Sequence, residues 1–96
     1  MEQRKKPARI SQMHVVKAIN PEKNIFLKSK LFTTRQAEVL YMFSKAYARK
    51  NIASALDIKV NTVDKHINQI HIKTNIHSVA ELMNWCVDFQ RSVSKK

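Results

Sequence analysis

Residues 61 to 74, with the sequence NTVDKHINQIHIKT, have the spacing of an amphipathic helix. In a helical arrangement, one narrow arc holds Val63, Ile67, Ile70 and Thr74. The opposite arc holds Asn61, Lys65, Asn68, Gln69 and Ile72. The pattern predicts a helix with one buried face and one face that is free to contact a partner.

The outward side chains of this segment suit the edges of DNA bases. A lysine can donate to guanine, an asparagine or glutamine can form two hydrogen bonds with adenine, and an apolar tip can touch a thymine methyl group. An ordinary surface helix would show the same periodicity, so the segment has to be interpreted together with the rest of the chain.

The composition favours a nucleic-acid partner. The chain has 96 residues, enough for one small domain, and its 18 basic and 7 acidic residues give a net charge of +11. Such an excess attracts a polyanion by neutralising its phosphates. One cysteine, Cys86, cannot form an internal disulfide, and the sequence has neither a membrane-spanning run nor a signal peptide. We therefore expect a cytoplasmic, nucleoid-associated protein that makes no membrane contact.

Residues 1 to 30 are predicted to be a basic N-terminal extension with one short helix. Residues 1 to 9, MEQRKKPAR, have no apolar anchor and either follow DNA or form a solvated arm. The spacing of apolar residues predicts a helix over residues 10 to 19, which Asn20 and Pro21 end. Apolar residues 25 to 27 are expected to lean against the domain that follows.

Residues 31 to 91 are predicted to be one all-α domain. Thr33 can cap a helix whose inner stripe consists of Val39, Leu40, Phe43, Ala46 and Tyr47. A short second helix turns Ile52, Ala53 and Leu56 inward, and a turn over residues 57 to 60 connects it to the helix of residues 61 to 74. A last helix is predicted over residues 78 to 90, and residues 92 to 96 are predicted to be a disordered tail.

The sequence contains no pattern typical of an enzyme. His66 and His71 point away from each other on the predicted helix, so they cannot share a metal ion. The chain has no glycine, which excludes a glycine-rich phosphate loop. The acidic residues are scattered and form no pair for acid-base catalysis. We therefore predict no catalytic residue, no metal site and no cofactor.

A short helix, a tight turn and a second helix with a polar outer face form the helix-turn-helix plan. Residues 32 to 82 go further and resemble the LuxR-type DNA-binding domain without a gap. The matching landmarks are Thr33, Arg35, Glu38, Val39, Leu40, Ile52, Ala53, Leu56, Thr62, Val63, His66, Ile70, Lys73 and Ile76. The resemblance implies a four-helix module whose third helix enters the major groove and whose fourth can form a homodimer. The chain looks like a stand-alone member, controlled by its abundance, by a partner or not at all.

Four departures from the family pattern affect the ends of helices. Ala46 and Asn75 stand where the family has glycine, and Ala48 and Lys59 stand where it has serine. Asparagine tolerates a left-handed helix end, whereas alanine and lysine offer no side-chain cap. Local capping is therefore expected to be weaker than in the family, with the fold retained.

Asp64 is the departure that matters most for DNA binding, since relatives often carry a basic or neutral residue there. Three interpretations stay open. Together with Asn61 it caps the helix, it accepts a hydrogen bond from cytosine N4, or it repels phosphate.

Under the resemblance, the predicted site has two sets of DNA contacts. The residues expected to contact bases are Asn61, Asp64, Lys65, Asn68 and Gln69. The residues expected to contact phosphates are Arg49, Lys50, Lys59, Thr62 and Lys73. Each alone could be an ordinary solvated side chain, but their clustering around one helix favours an interface.

The last helix is predicted to form a homodimer interface through Leu82, Trp85 and Phe89. The stripe that contains Val79 and Cys86 closes a small core, which leaves the two aromatic side chains without an evident partner. The alternative is that residues 10 to 31 fold back and cover them.

Together these patterns predict a transcription regulator that binds specific sequences of double-stranded DNA as a homodimer. The alternative is a protein-interaction module of the same fold, which binds another regulator or RNA polymerase and binds DNA only weakly. Asp64 is the feature that favours this alternative.

Overall fold

The computed structural model describes residues 11 to 94, and all of its regular elements are helices. They are α1 (Gln12–Ile19), α2 (Ile25–Lys28), α3 (Thr34–Ser44), α4 (Arg49–Leu56), α5 (Val60–Thr74) and α6 (Val79–Ser94). The predicted all-α class is confirmed for this part of the chain. The predicted basic arm, residues 1 to 9, lies outside the described residues. The last helix runs to Ser94, so part of the segment predicted as a disordered tail is helical.

Helix α3 is the central element, and it begins where the sequence predicts. The Thr33 hydroxyl accepts from the backbone N–H of Gln36 at 3.2 Å, and the Gln36 amide oxygen accepts from the backbone N–H of Thr33 at 3.1 Å. This reciprocal capping box satisfies two N–H groups at the start of the helix. Residues 36 to 43 are all buried, because the other five helices pack around α3. The sequence predicted only one buried stripe, since it did not predict how closely the N-terminal helices cover the other side.

The buried side chain of Asn24 joins the N-terminal helices to α3 by hydrogen bonds. Its amide oxygen caps α2 by accepting from the backbone N–H groups of Phe26 and Leu27 at 2.9 and 3.3 Å. Its amide nitrogen donates to the carbonyl oxygens of Ala18 in α1 and Ala37 in α3, at 2.6 and 3.0 Å. Asn24 is completely buried, so each of these hydrogen bonds replaces one that water would otherwise form. The segment predicted only to lean on the domain is therefore an integral part of it.

The aromatic side chains of α6 have partners inside the chain, contrary to the expectation that they lack them. The Phe26 ring stacks with Trp85 at 6.3 Å and with Phe89 at 5.5 Å between centroids. Phe32 meets Trp85 edge-on at 6.1 Å, and Leu82 is fully buried. The structure follows the alternative in which the N-terminal segment covers these rings. Val79, predicted to lie in the core, is exposed instead.

Several helix ends lack a side-chain cap or adopt a left-handed conformation. Helix α3 ends at Ser44, so Ala46 lies beyond it with a φ of 68° rather than on its inner stripe. Asn75 ends α5 with a φ of 58°, as its tolerance of this conformation predicts. Ala48 and Lys59 are the N-caps of α4 and α5, and neither helix has a side-chain cap. The substitute cap predicted from Asn61 and Asp64 is wrong, because α5 begins at Val60.

Ala46→Gly is expected to stabilise the protein. A left-handed residue with a Cβ atom costs roughly 1–2 kcal/mol, and the greater freedom of glycine in the unfolded chain offsets about 0.4–1 kcal/mol of the relief. Urea unfolding should therefore show a net gain of about 1 kcal/mol. Ala55→Gly, inside α4, is the control and should lower stability by about 1 kcal/mol. A loss of stability in both variants would contradict a strained backbone at Ala46.

Candidate nucleic-acid interface

The orientation of α5 agrees with the face predicted from its sequence. Val63, Ile67 and Ile70 are buried where α5 packs against α3 and α4. Thr74 is half-buried, and its hydroxyl donates to the Ile70 carbonyl oxygen at 2.9 Å. The opposite face is exposed along Asn61, Lys65, Asn68, Gln69 and Ile72. Buried apolar residues at helical spacing thus fix which side chains of α5 reach the surface.

The turn between α4 and α5 holds the two helices as a compact pair. Asp57 takes a left-handed conformation with a φ of 58°, and the backbone N–H of Ile58 donates to the Ala53 carbonyl oxygen at 2.9 Å. Ile58 is half-buried, whereas Lys59 is exposed at the start of α5. Arg49 and Lys50, the first residues of α4, are exposed as well. The sequence-predicted phosphate contacts of this region therefore lie around the N-terminal ends of α4 and α5.

One flank of α5 carries an ion pair between the two helices. The Asp64 carboxylate lies 2.8 Å from Nε of Arg49, and both side chains remain about half exposed. An exposed pair of this kind contributes only about 0.2–1 kcal/mol to stability. Its greater effect is on the surface potential, because Arg49 offsets the negative charge that Asp64 would otherwise present to a phosphate.

The other flank carries a hydrogen-bond network between α5 and the start of α3. The Gln36 amide nitrogen donates to the Gln69 amide oxygen at 2.9 Å, and Nζ of Lys73 donates to the Gln36 amide oxygen at 2.9 Å. The Lys73 ammonium also lies 5.7 Å from the centre of the Phe32 ring. Gln69 and Lys73 were predicted as a base contact and a phosphate contact, and the structure shows both of them tied to α3.

Gln36 is the residue of this region that the sequence interpretation missed. The spacing of Thr33 and Gln36 is the signal of a capping box, and it could have identified Gln36 as structurally engaged. No local pattern indicates that the same amide also reaches α5, because that contact joins residues far apart in the chain.

His66 is on α5, three residues before Gln69, and its side chain is half-buried. Its Nδ1 is a buried nitrogen without a hydrogen-bond partner among the described residues. Burial lowers the pKa of His66 below its ordinary value, and the positive charges of Arg35 and Lys65 lower it further. At neutral pH the ring is therefore neutral, and the positive charge of this surface comes from lysine and arginine.

Within residues 11 to 94, no group of three or more histidine, cysteine, aspartate or glutamate side chains could hold a metal ion. Burial raises the pKa of the Cys86 thiol to about 12, so it stays protonated and is a poor nucleophile. In the same part of the chain, no helix is both long enough and apolar enough to cross a bilayer.

Comparison with known proteins gives a family match over the region that contains this surface. Residues 30 to 86 match the model of the family described as bacterial regulatory proteins, luxR family. The oxygen regulatory protein NreC of Staphylococcus epidermidis is 34% identical over 58 residues, which cover 60% of this chain and 27% of that protein. The probable transcriptional regulator ycf29 of Cyanophora paradoxa is 32% identical over 73 residues, 70% of this chain and 35% of that protein. The chain thus spans about a third or less of the length of these relatives. No solved structure shows a significant match.

The lowered pKa of His66 predicts that acidification destabilises the fold. The unfolded chain takes up the proton near the ordinary pKa of about 6.5, whereas the folded protein does so only at lower pH. The stability associated with neutral His66 is therefore present above the ordinary pKa and is lost as the pH falls toward the lowered folded value. Urea unfolding across this range should show a smaller loss for His66→Leu than for the wild type. Equal losses would indicate that other groups cause the pH dependence.

Proposed function

Because the chain belongs to the luxR family of bacterial regulatory proteins, we propose that it regulates transcription by binding specific sequences of duplex DNA as a homodimer, with α5 in the major groove. The observation that carries this proposal is the exposed polar centre of α5, Asn61, Lys65 and Asn68, with basic residues on either side. A DNA partner would place the protein at the nucleoid.

In the proposed complex, the residues of α4, of α5 and of the turn between them have two roles. Asn61, Lys65 and Asn68 are exposed and free to meet base edges, because none of them forms a hydrogen bond or an ion pair with another described side chain. Asp64 faces Arg49, so its main role is to hold that guanidinium beside the groove rather than to contact cytosine. The positioning contacts to phosphate come from Arg49, Lys50, Lys59, Thr62 and Lys73.

The proposed homodimer uses the outer face of α6. Trp85, Phe89 and Leu82 are occupied inside the chain, so the exposed residues Ala80, Asn84 and Val87 are the better candidates for the contact. Val87 is half exposed at the middle of the helix. A two-fold pair would bring two copies of α5 to half-sites about one DNA turn apart, which extends the sequence that is recognised.

A second candidate function is contact with RNA polymerase or another regulator, and the outer face of α1 favours it. Met13, Val16 and Ile19 are about half exposed in a row, and they lie outside the residues that match the family. Met13 and Val16 line a surface groove together with Lys17 and Lys23, so the segment that fits it is apolar with acidic flanks. A partner bound to α1 would leave α5 free to bind DNA.

The experiment that tests the proposed function is a gel shift on genomic fragments at two salt concentrations. Preference for one fragment together with a steep salt dependence supports DNA-specific regulation. Absence of binding even at low salt would contradict DNA-specific regulation and support the protein-interaction function instead.

Two lysine variants test which groups contact bases. Lys65→Ala is expected to weaken specific binding by about 1–3 kcal/mol and to relax the base preference at one position. Lys50→Ala removes an exposed charge, so it should weaken binding to all sequences alike and flatten the salt slope by about one. Lys50 is a cleaner comparison than Lys73, whose ammonium already binds Gln36. If both variants behaved alike on specific and random DNA, the assignment of the α5 face would be wrong.

Val87→Arg tests the proposed dimer surface. Placing a charge at a two-fold contact should shift the protein toward monomer in sedimentation, and it should weaken binding to a palindromic site far more than to a half-site. Val16→Arg is the matched control, since it makes the same change at a similarly exposed valine on α1. If Val16→Arg and not Val87→Arg produced the monomer, the dimer contact would lie on the N-terminal helices.

A further inference from the structure

The network on the flank of α5 determines which end of the Gln69 amide faces outward. Two groups point at the same atom of the Gln36 side chain: the backbone N–H of Thr33, at 3.1 Å, and the Lys73 ammonium, at 2.9 Å. Both groups are donors and neither can accept, so the atom they share has to be the amide oxygen of Gln36. The orientation of this amide therefore follows from its chemical surroundings.

The orientation of Gln36 in turn determines that of Gln69. With its oxygen committed to Thr33 and Lys73, Gln36 turns its amide nitrogen toward Gln69, 2.9 Å away. That nitrogen can only donate, so Gln69 has to present its oxygen to it. Gln36 is buried, with 5% of its surface exposed, and water therefore competes little for these hydrogen bonds.

The Gln69 amide nitrogen is then the free end of the network. It forms no hydrogen bond with the other described residues, and the side chain is exposed on the face of α5. We propose that Gln36 is a positioning residue that presents Gln69 to DNA as a hydrogen-bond donor. This inference rests on the proposed DNA-binding function and refines it.

The ligand chemistry that fits this arrangement is a hydrogen-bond acceptor. In the major groove the acceptors are guanine O6 and N7, adenine N7 and thymine O4, and on the backbone they are the phosphate oxygens. The pairing of glutamine with adenine that the sequence suggested needs the amide oxygen and nitrogen together. In this structure the oxygen is held toward α3, so guanine O6, thymine O4 or a phosphate oxygen is the better partner, because adenine and cytosine carry an amino donor at the corresponding position of the base edge.

Gln36→Glu tests the proposal because it changes one end of the network and keeps the rest. A carboxylate still accepts from Thr33 and Lys73, and glutamate is a preferred residue at this position of a capping box. It has no N–H to donate, however, so Gln69 has to turn its own nitrogen toward residue 36. The Gln69 oxygen would then face the DNA, where it can accept from adenine N6 or cytosine N4.

The measurement is selection of bound duplexes from a randomised library, with the wild type, Gln36→Glu, Gln69→Ala and the double variant. The wild type is expected to prefer guanine or thymine at one position, and Gln36→Glu should change that preference to adenine or cytosine by roughly tenfold. Gln69→Ala and the double variant should show no preference there. A thermal unfolding curve for Gln36→Glu should match that of the wild type and establish that the fold is intact.

The remaining outcomes distinguish a phosphate acceptor from a base acceptor, and they also show when the proposal fails. If Gln69 donates to phosphate, Gln69→Ala should weaken binding to all sequences equally and leave every base preference unchanged. Gln36→Glu should then weaken binding less in the Gln69→Ala background than in the wild type, which separates the effect of the turned amide from that of the charge added beside Lys73. Gln36→Glu with the affinity and preferences of the wild type would overturn the proposal, and so would a Gln69→Ala variant without any effect. Absence of sequence preference in the wild type would instead refute the proposed function on which it rests.

Discussion

Burial of α3 on every side is the constraint on which the rest of the structure depends. Eight successive residues, 36 to 43, are removed from water, and two of them, Gln36 and Glu38, have polar side chains. Because a buried polar group is costly without a partner, the neighbouring helices have to supply one or the helix has to supply its own. Arg35 pairs with Glu38 within α3 at 2.9 Å, whereas Gln36 bonds to α5. Gln36 thus adds a polar contact to the apolar contacts that position α5.

The N-terminal helices change what the last helix can do. The amide of Asn24 ties α1 and α2 to α3, and this places Phe26 under the rings of Trp85 and Phe89. Stacked aromatic rings contribute roughly 0.5–1.5 kcal/mol for each pair beyond the area that they bury. Aromatic residues that would suit an interface are thus used to hold the chain together, and the proposed contact of α6 with a second copy is placed on its exposed face.

The proposed recognition surface has an open centre and two ordered flanks. Lys65 and Asn68 are free to adjust to base edges, whereas Asp64 is paired with Arg49 and Gln69 is bonded to Gln36. Side chains that are already ordered lose less conformational entropy when a partner binds. In the proposed complex the ordered flanks would therefore fix the register of α5 on a duplex, while the side chains of the centre adjust to the base edges.

The sequence alone determined the features that depend on neighbours along the chain: the five longer helices, the buried face of α5, the Thr33 cap and the left-handed end at Asn75. Helical periodicity and capping act over a few residues, so they can be recognised in a linear pattern. Only the tertiary structure decided that Asp64 pairs with Arg49, that Gln36 bonds to Gln69, and that Phe26 covers Trp85. Each of these contacts joins different helices, and its partner is selected by how the helices pack rather than by any spacing in the sequence.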